Sequence, residues 1–382
     1  MGELFVESDE RSSTEEILSV SVANGIYPAS ESERDTNPGA SIANYKIVRV
    51  GDIVYNSMRM WQGAVGSSRY NGIVSPAYVV AKPVVELDST CFGYLLKRPE
   101  LLYKYLCNSQ GNSKDTQTLR YERFAEITAE VPSTIEEQRA ISDCLEGLDS
   151  LITLHQRKYD KLCTVKKSML DKMFPKPGEI EPEIRFEGFT DPWEQRKLSS
   201  IAASFDYGLN AAATEYDGKN KYLRITDIDD ATHEFLKSDL TTPLADLAMS
   251  ADYLLEEGDL LFARTGASVG KTYLYRQYDG TVYFAGFLIR ARIEESADPE
   301  FVYQATLTDA YKKFVAITSQ RSGQPGVNAQ EYADYQLMLP SRTEQQQIGM
   351  TLRSLDNLIT LHQRKLDLLM NTKKSLLDKM FV

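Results

Sequence analysis

The chain is poor in the residues that mark a covalent or metal-held scaffold. Its 382 residues include four cysteines and three histidines, and Cys91, Cys107, Cys144 and Cys163 form no CxxC pair. That spacing excludes a disulfide framework and a zinc ribbon, so reduced structural thiols are expected. No apolar run approaches the roughly 18 residues that a membrane span requires. The opening MGELFVESDE has neither a basic lead nor an apolar stretch, and no secretory signal is read there. A soluble cytoplasmic protein is expected. Basic residues are also in the minority: 43 Lys and Arg against 55 Asp and Glu leave a net charge of −12. At face value such acidity argues against a nucleic-acid binder.

Catalytic signatures are missing as well. There is no HExxH, no GxSxG, no zinc finger and no nuclease-like set of acidic residues with a lysine. GASVGKT (266–272) approaches a phosphate-binding loop, but Gly266 and Gly270 enclose three residues where that loop needs four. It also lies between strand-like runs and does not open a helix, so the helix-terminus anion site is lost. A hairpin loop bringing Arg264, Thr265 and Lys271 to the surface is expected instead. Asp191-Pro192-Trp193 resembles a methyltransferase tetrapeptide without its second proline, and reads as a segment docked by Trp193. No cofactor and no metal is expected.

What the chain does have is length for more than one domain and a strong internal repeat. LEGLDSLITLHQRKYDKLCTVKKSMLDKMF (145–174) returns as LRSLDNLITLHQRKLDLLMNTKKSLLDKMF (352–381), identical at 21 of 30 positions after a shift of 207. The same shift lays Glu137-Gln138 on Glu344-Gln345 and Gly51-Asp52 on Gly258-Asp259. In both copies apolar residues alternate 4-3 spacings, the pattern of a coiled-coil seam. Leu148, Ile152 and His155 are placed on the first seam, and Leu355, Ile359 and His362 on the second. A rod of about 36 residues at 1.5 Å each is roughly 55 Å long. One such rod cannot bury its own stripe, so the two are expected to pack together, antiparallel if the modules sit at opposite ends. His155 and His362 read as polar seam residues that fix register, with a metal or pH-sensing pair as the sharper alternative.

The segments between the rods alternate β-like runs with turns. Each Gly-Asp closes a turn before a strand, and Asn71-Gly72 and Asp279-Gly280 signal hairpins. Helical spacing predicts one helix over 92–106 and another over 301–315, followed by a polar loop and a last strand ending in Pro-Ser. The predicted class is α+β, with two pseudo-symmetric modules joined by two long antiparallel coiled-coil helices. The expected divisions are a first module over 1–133, a helix over 134–174, a linker over 175–198, a second module over 199–342 and a helix over 343–382. The first module has no counterpart of the lead-in that precedes the second, so a clipped or circularly offset start is expected.

Loop composition points to nucleic acid. Asn56, Arg59, Trp61 and Gln62 share one loop, and Arg264, Thr265 and Lys271 occupy the same place in the second copy. Gln320, Arg321, Ser322, Gln324 and Asn328 form a further loop, whose counterpart carries Lys114 and Gln117. Arg69 and Arg276 add a basic residue to each module. Arg pairs with guanine and Asn or Gln with adenine, while Lys, Ser and Thr hold phosphates. An ordinary polar surface loop has the same composition, and both readings stay open. These loops differ between modules while the helices are nearly identical, which fits two diverged readers on a repeated frame.

With WEQRKL (193–198), GDLLFARTGASVGKT (258–272), PSTIEEQRAI (132–141) and the twin LITLHQRK helices, essentially the whole chain resembles the specificity subunit of Type I restriction–modification enzymes. The resemblance implies two target recognition domains, each reading half of a split sequence in double-stranded DNA. It implies spacer helices that dock two methylation subunits, a restriction subunit in the full complex, and no catalytic activity in this chain. The missing lead-in departs from the family pattern and puts residues 1–50 in question. The competing reading is a coiled-coil scaffold that presents two ligand- or protein-binding modules without DNA; a self-sufficient methyltransferase or nuclease is disfavoured by the missing motifs. Acid is concentrated in residues 173–342, with 17 basic and 27 acidic groups, whereas residues 343–382 carry 6 and 4. A reader of this charge is expected to bind DNA weakly alone and to depend on partner subunits.

Overall fold

The alternation of short β-branched and aromatic runs with long amphipathic segments is realised as two compact units in a computed structural model, which describes residues 1–32, 42–111, 116–321 and 323–381. One unit comprises Met1–His155 with Lys365–Val382, the other Gln156–Arg364. The division falls inside the two long helices, Ile135–Lys172 and Arg342–Met380, so each helix contributes one half to each unit.

Each unit is built on a four-stranded antiparallel sheet of the same order. In the first, Phe5–Glu7 pairs with Tyr78–Pro83, which pairs with Ile53–Asn56, which pairs with Val65–Ser67. In the second the order is Ala202–Tyr207, Leu288–Ile293, Asp259–Ala263, Thr272–Leu274. The repeated Gly-Asp pairs start the central strands. Gly51 and Gly258 hold φ of 92° and 88°, a region that favours glycine because other residues carry a Cβ. Asp52 Oδ2 then accepts the Arg49 amide at 2.7 Å and Asp259 Oδ2 the Glu256 amide at 2.9 Å. Burial pushes both carboxyls above their ordinary range, against these hydrogen bonds.

Three local expectations are corrected. The Asn71-Gly72 and Asp279-Gly280 turns do not close hairpins: they pass the chain from one sheet to another. Gly72–Val74 pairs with Lys46–Val48, and Val282–Phe284 pairs in parallel with Lys221–Leu223, so those edges are already taken. The helices read over 92–106 and 301–315 are each broken in two. Ser89–Leu95 gives way to Pro99–Asn108, because Pro99 has no amide to continue the first helix and instead starts the next. Pro299–Ala305 gives way to Asp309–Thr318, whose cap is the Thr308 hydroxyl accepting from the Tyr311 amide at 3.4 Å. Finally, Gln336–Leu339 is a strand paired with Glu194–Lys197, but among the described residues its counterpart before Pro132 forms no strand.

Within each unit the long helices pair antiparallel and close the core. In the first, Ile141 and Leu145 share a cluster with Phe5, Phe92, Phe124 and Phe381. In the second, Met173, Phe174 and Trp193 share one with Phe301, Ile348 and Leu352. Leu148, Ile152 and His155 are half-buried, as are Leu355 and His362, while Ile359 is buried. The helix-to-module joint is the same twice: Gln138 accepts the Asp88 amide and donates to the Pro132 carbonyl, as Gln345 does with Asp298 and Pro340. Gly349 permits this approach in the second unit, where a Cβ would stand 3.0 Å from Glu300 Cγ. The 175–198 segment is pinned: Arg185 donates to both oxygens of Glu344 at 2.9 and 2.8 Å, and Trp193 packs on Phe174 and Phe301.

Candidate nucleic-acid interface

In each unit two loops, distant in sequence, are tied side by side at the end of the central strand. In the first unit the Leu119 amide donates to the Ser57 carbonyl at 2.8 Å, and the Ser57 amide to the Ala77 carbonyl at 3.3 Å. In the second the Val327 amide donates to the Arg264 carbonyl at 2.9 Å, and the Arg264 amide to the Phe287 carbonyl at 3.0 Å. One backbone frame therefore presents Ser57 in one unit and Arg264 in the other.

The second unit's face is the richer. The Arg264 guanidinium lies 4.9 Å from the centre of the Tyr207 ring, a stacked arrangement that holds it in place beside the Gly286 carbonyl. Thr265 bridges to Gly326, and the Gln324 side chain lies over Gly266. Gln320 and Gln324 are exposed. Two aromatic residues that the sequence did not single out complete the surface: Phe287 is 59% exposed and Tyr207 44%. An exposed Phe at a turn is a visible departure from burial, but only the fold shows that it lies beside Arg264.

The first unit offers Arg59 and Gln62, both exposed, and among the described residues Arg59 has no ion-pair partner. Asn56 spends its side-chain oxygen on the Met58 amide, closing the turn at 3.0 Å. Trp61 is half-buried against the core and donates its indole N–H to the Met58 carbonyl at 3.2 Å. It supports the loop and is not a free stacking platform. Gln117 is half-buried and donates to the Gly111 carbonyl at 3.3 Å. Lys114 and Ser322 lie outside the described residues.

Several predicted contacts have other work. Lys271 does not come to the surface: its side chain is 11% exposed, donating to the Ile228 carbonyl at 2.9 Å and pairing with Asp230 at 2.5 Å. The loop is too short to project it, because the Lys271 amide folds back onto Ser268. Arg276 is enclosed with Glu300 in an ion pair, which raises its pKa further despite burial. Arg69 pairs with Glu146 on the long helix. Arg321 pairs with Glu331 at 2.5 Å. Asn328 caps the helix Ala329–Ala333 in a reciprocal box with Glu331. The candidate surface contracts to Arg59 and Gln62 in one unit, and to Arg264, Thr265, Gln320 and Gln324 in the other. No group of His, Cys, Asp and Glu among the described residues is arranged to hold a metal ion, and no described helix is long and apolar enough to cross a membrane.

Comparison with known proteins agrees with this architecture. The family profile of the Type I restriction modification DNA specificity domain matches residues 23–163 and 190–371. The specificity subunit of the Type I restriction enzyme MjaVIII from Methanocaldococcus jannaschii is 23% identical over 380 residues, covering 93% of this chain and 85% of its own. Among solved structures, the S subunit of the Type I restriction–modification system from M. genitalium is similar with a TM-score of 0.61 at 15% identity, covering all of this chain and 94% of that one. A chain from a study of complex assembly and conformational transition in a Type I system gives 0.50 at 14% identity, with all of this chain and 96% of that one covered. These two likenesses are of fold. Specificity subunits contribute recognition and are not themselves catalytic. Two matched stretches on a twice-built frame place this chain in the family of Type I restriction–modification specificity subunits.

Proposed function

We propose that the chain reads a two-part sequence in double-stranded DNA, one half-site per module, for a Type I restriction–modification complex acting in the cytoplasm. The observation that carries this is the shared loop frame with different side chains. Identical backbone bonds hold Ser57 and Arg264 at the same position, so the units offer different chemistry to whatever they meet. In the second unit Arg264 supplies a planar donor for a guanine edge, Gln320 and Gln324 supply amides for adenine, and Phe287 an apolar contact. The chain's net charge of −12 leaves it little of its own to neutralise phosphates. Phosphate contacts dominate DNA affinity, so most of them fall to partner subunits.

The long helices are the docking surface for two methylation subunits, with restriction subunits joining the full complex. Leu151 and Leu154 are 45% and 47% exposed, and Leu358 and Leu361 44% and 61%. The repeat lays the first pair on the second, so one apolar step is displayed once in each unit. Exposed leucines at matching positions fit two copies of one partner. The test is a mobility shift of DNA duplexes by the chain with its methylation subunit. A duplex carrying the split site found by methylation mapping is retarded and a scrambled one is not. Equal retardation of both sinks the reading and favours a protein-binding scaffold.

A further inference from the structure

The loop frames of the two units match residue by residue, and the match continues past the tie between the loops. The Thr118 amide donates to the Gln110 carbonyl at 2.9 Å, as the Gly326 amide does to the Ser319 carbonyl at 3.1 Å. Leu119 then meets Ser57 as Val327 meets Arg264. The next residue is Arg120 in the first unit and Asn328 in the second, and each opens a short helix, Tyr121–Glu126 or Ala329–Ala333. Phe124 and Tyr332 follow at the same interval and both are fully buried, so the register holds beyond the tie.

The side chains at this shared position do different work. Asn328 accepts the Glu331 amide, and its own amide donates to the Glu331 carboxylate, which closes a capping box. Arg120 makes no cap. It is exposed, and among the described residues its guanidinium has no ion pair or hydrogen bond. Arg123 takes the place of Glu331 and pairs with Glu126 instead. Arginine suits that helix start poorly: it offers no acceptor to the unpaired amides, and its charge opposes the positive end of the helix. A residue that breaks a local rule without structural return points to function. Around the tie the first unit is otherwise bare, with Ser57 where the second has Arg264 and Ala77 where it has Phe287.

We infer that Arg120 is a specificity-determining residue of the first unit, donating to the O6 and N7 edge of a guanine in its half-site. The inference rests on the reading of each unit as a DNA reader. The guanidinium that the second unit carries on the strand side of the tie, at Arg264, is carried by the first on the helix side. A planar two-pronged donor in that place fits the guanine edge in the major groove.

The test sets Arg120→Ala and Arg120→Asn beside Arg264→Ala, each chain assembled with its methylation subunits and read by methylation mapping in cells. Both Arg120 variants are expected to lose about tenfold of the preference for guanine at one position of one half-site. Arg264→Ala is expected to act on the other half-site alone. Arg120→Asn supplies a good cap, so its Tm should equal or exceed the parent's, which separates lost recognition from lost fold. Mobility shifts then address the base edge. Replacing that guanine by 7-deazaguanine removes N7; it should weaken binding by the parent complex and weaken the Arg120→Ala complex no further. An unaltered target in both Arg120 variants, beside an altered one in Arg264→Ala, overturns the inference and leaves the DNA reading standing. No altered half-site in any variant overturns both. Equal sensitivity of parent and Arg120→Ala to 7-deazaguanine also overturns the inference, because Arg120 would then not be the group that reads N7.

Discussion

Lys373 donates to Asp149 Oδ1 at 2.5 Å, and the Tyr94 hydroxyl donates to Oδ2 of the same carboxylate at 2.6 Å. One side chain thus joins both long helices to the first module. In the second unit Lys166 pairs with Asp356, and Gln304 Nε2 donates to the other oxygen at 2.8 Å. Asp149 and Asp356 are one repeat apart, as are Lys166 and Lys373. The repeat has kept the carboxylate and the lysine and has exchanged only the module's donor.

Replacing either carboxylate should therefore loosen a joint. Asp149→Asn and Asp356→Asn each leave a half-buried lysine without its counter-charge, at a cost of about 1–2 kcal/mol once solvent screening is allowed for. Urea denaturation of each variant measures this. The two losses should add, because the sites belong to different units. A cost near zero for both would mean the pairs are ornamental.

Arg264→Ala should relax or abolish recognition of one half-site and leave the other intact, since the loop frames of the two units are separate. The complementary substitution is Ser57→Arg, which places the guanidinium at the equivalent backbone position of the first unit and should alter only the other half-site. Each bidentate base contact is worth about 1–3 kcal/mol of discrimination. Methylation mapping of cells carrying each variant reads both halves at once. Equal damage to both half-sites would refute independent readers.

If the helices set the distance between half-sites, one heptad added to both should lengthen the unread spacer and change neither half. Seven residues at 1.5 Å add about 10 Å, or roughly three base pairs. A heptad keeps the seam in phase, so the variant should fold. An unchanged methylated sequence would end the ruler idea.

The long helices are legible because their 4-3 spacing runs from Ile141 to Met173, about nine turns at 3.6 residues each, and again 207 residues later. The ion pairs at Lys166 and Lys373 were not, since a seam lysine finds its carboxylate only after the register is set. Arg276 and Lys271 looked like nucleic-acid contacts for the same reason. A basic residue in a loop is a contact or an internal brace according to whether Glu300 or Asp230 happens to lie beside it, and those partners come from remote sequence. Phe287 and Tyr207 were missed from the other side: an aromatic residue in a β-rich segment is expected in the core, and only the turn at Gly286 shows it outside. Pro99 did carry a signal, and it broke the helix as proline does.

The cysteines should separate by environment. Cys91 is buried, and desolvation together with the nearby Asp88 and Glu137 carboxylates pushes its thiol up to about 12. Cys107 and Cys144 are exposed. Because the thiolate is the reactive form, Ellman's reagent at pH 8 should modify Cys107 and Cys144 rapidly and Cys91 only after denaturation. Peptide mapping by mass identifies the sites. Rapid labelling of Cys91 in the folded chain would show that its shell opens readily.

His233 should make the second unit sensitive to mild acid. Its ring is half-buried against Thr272, donating Nδ1–H to that carbonyl at 3.0 Å, and desolvation lowers its pKa below 6.5, with that hydrogen bond and Asp356 opposing the shift and Lys166 and Lys271 adding to it. The unfolded chain therefore takes up the proton first as pH falls through about 6.5. Stability is full above that pH and declines below it, so Tm should drop between about pH 7.5 and 5.5. His233 also sits at φ 57°, a conformation that asparagine tolerates better than most residues. His233→Asn keeps the backbone and removes the titration, and should flatten that part of the Tm profile. A variant whose Tm falls with pH as steeply as the parent's would place the acid sensitivity elsewhere.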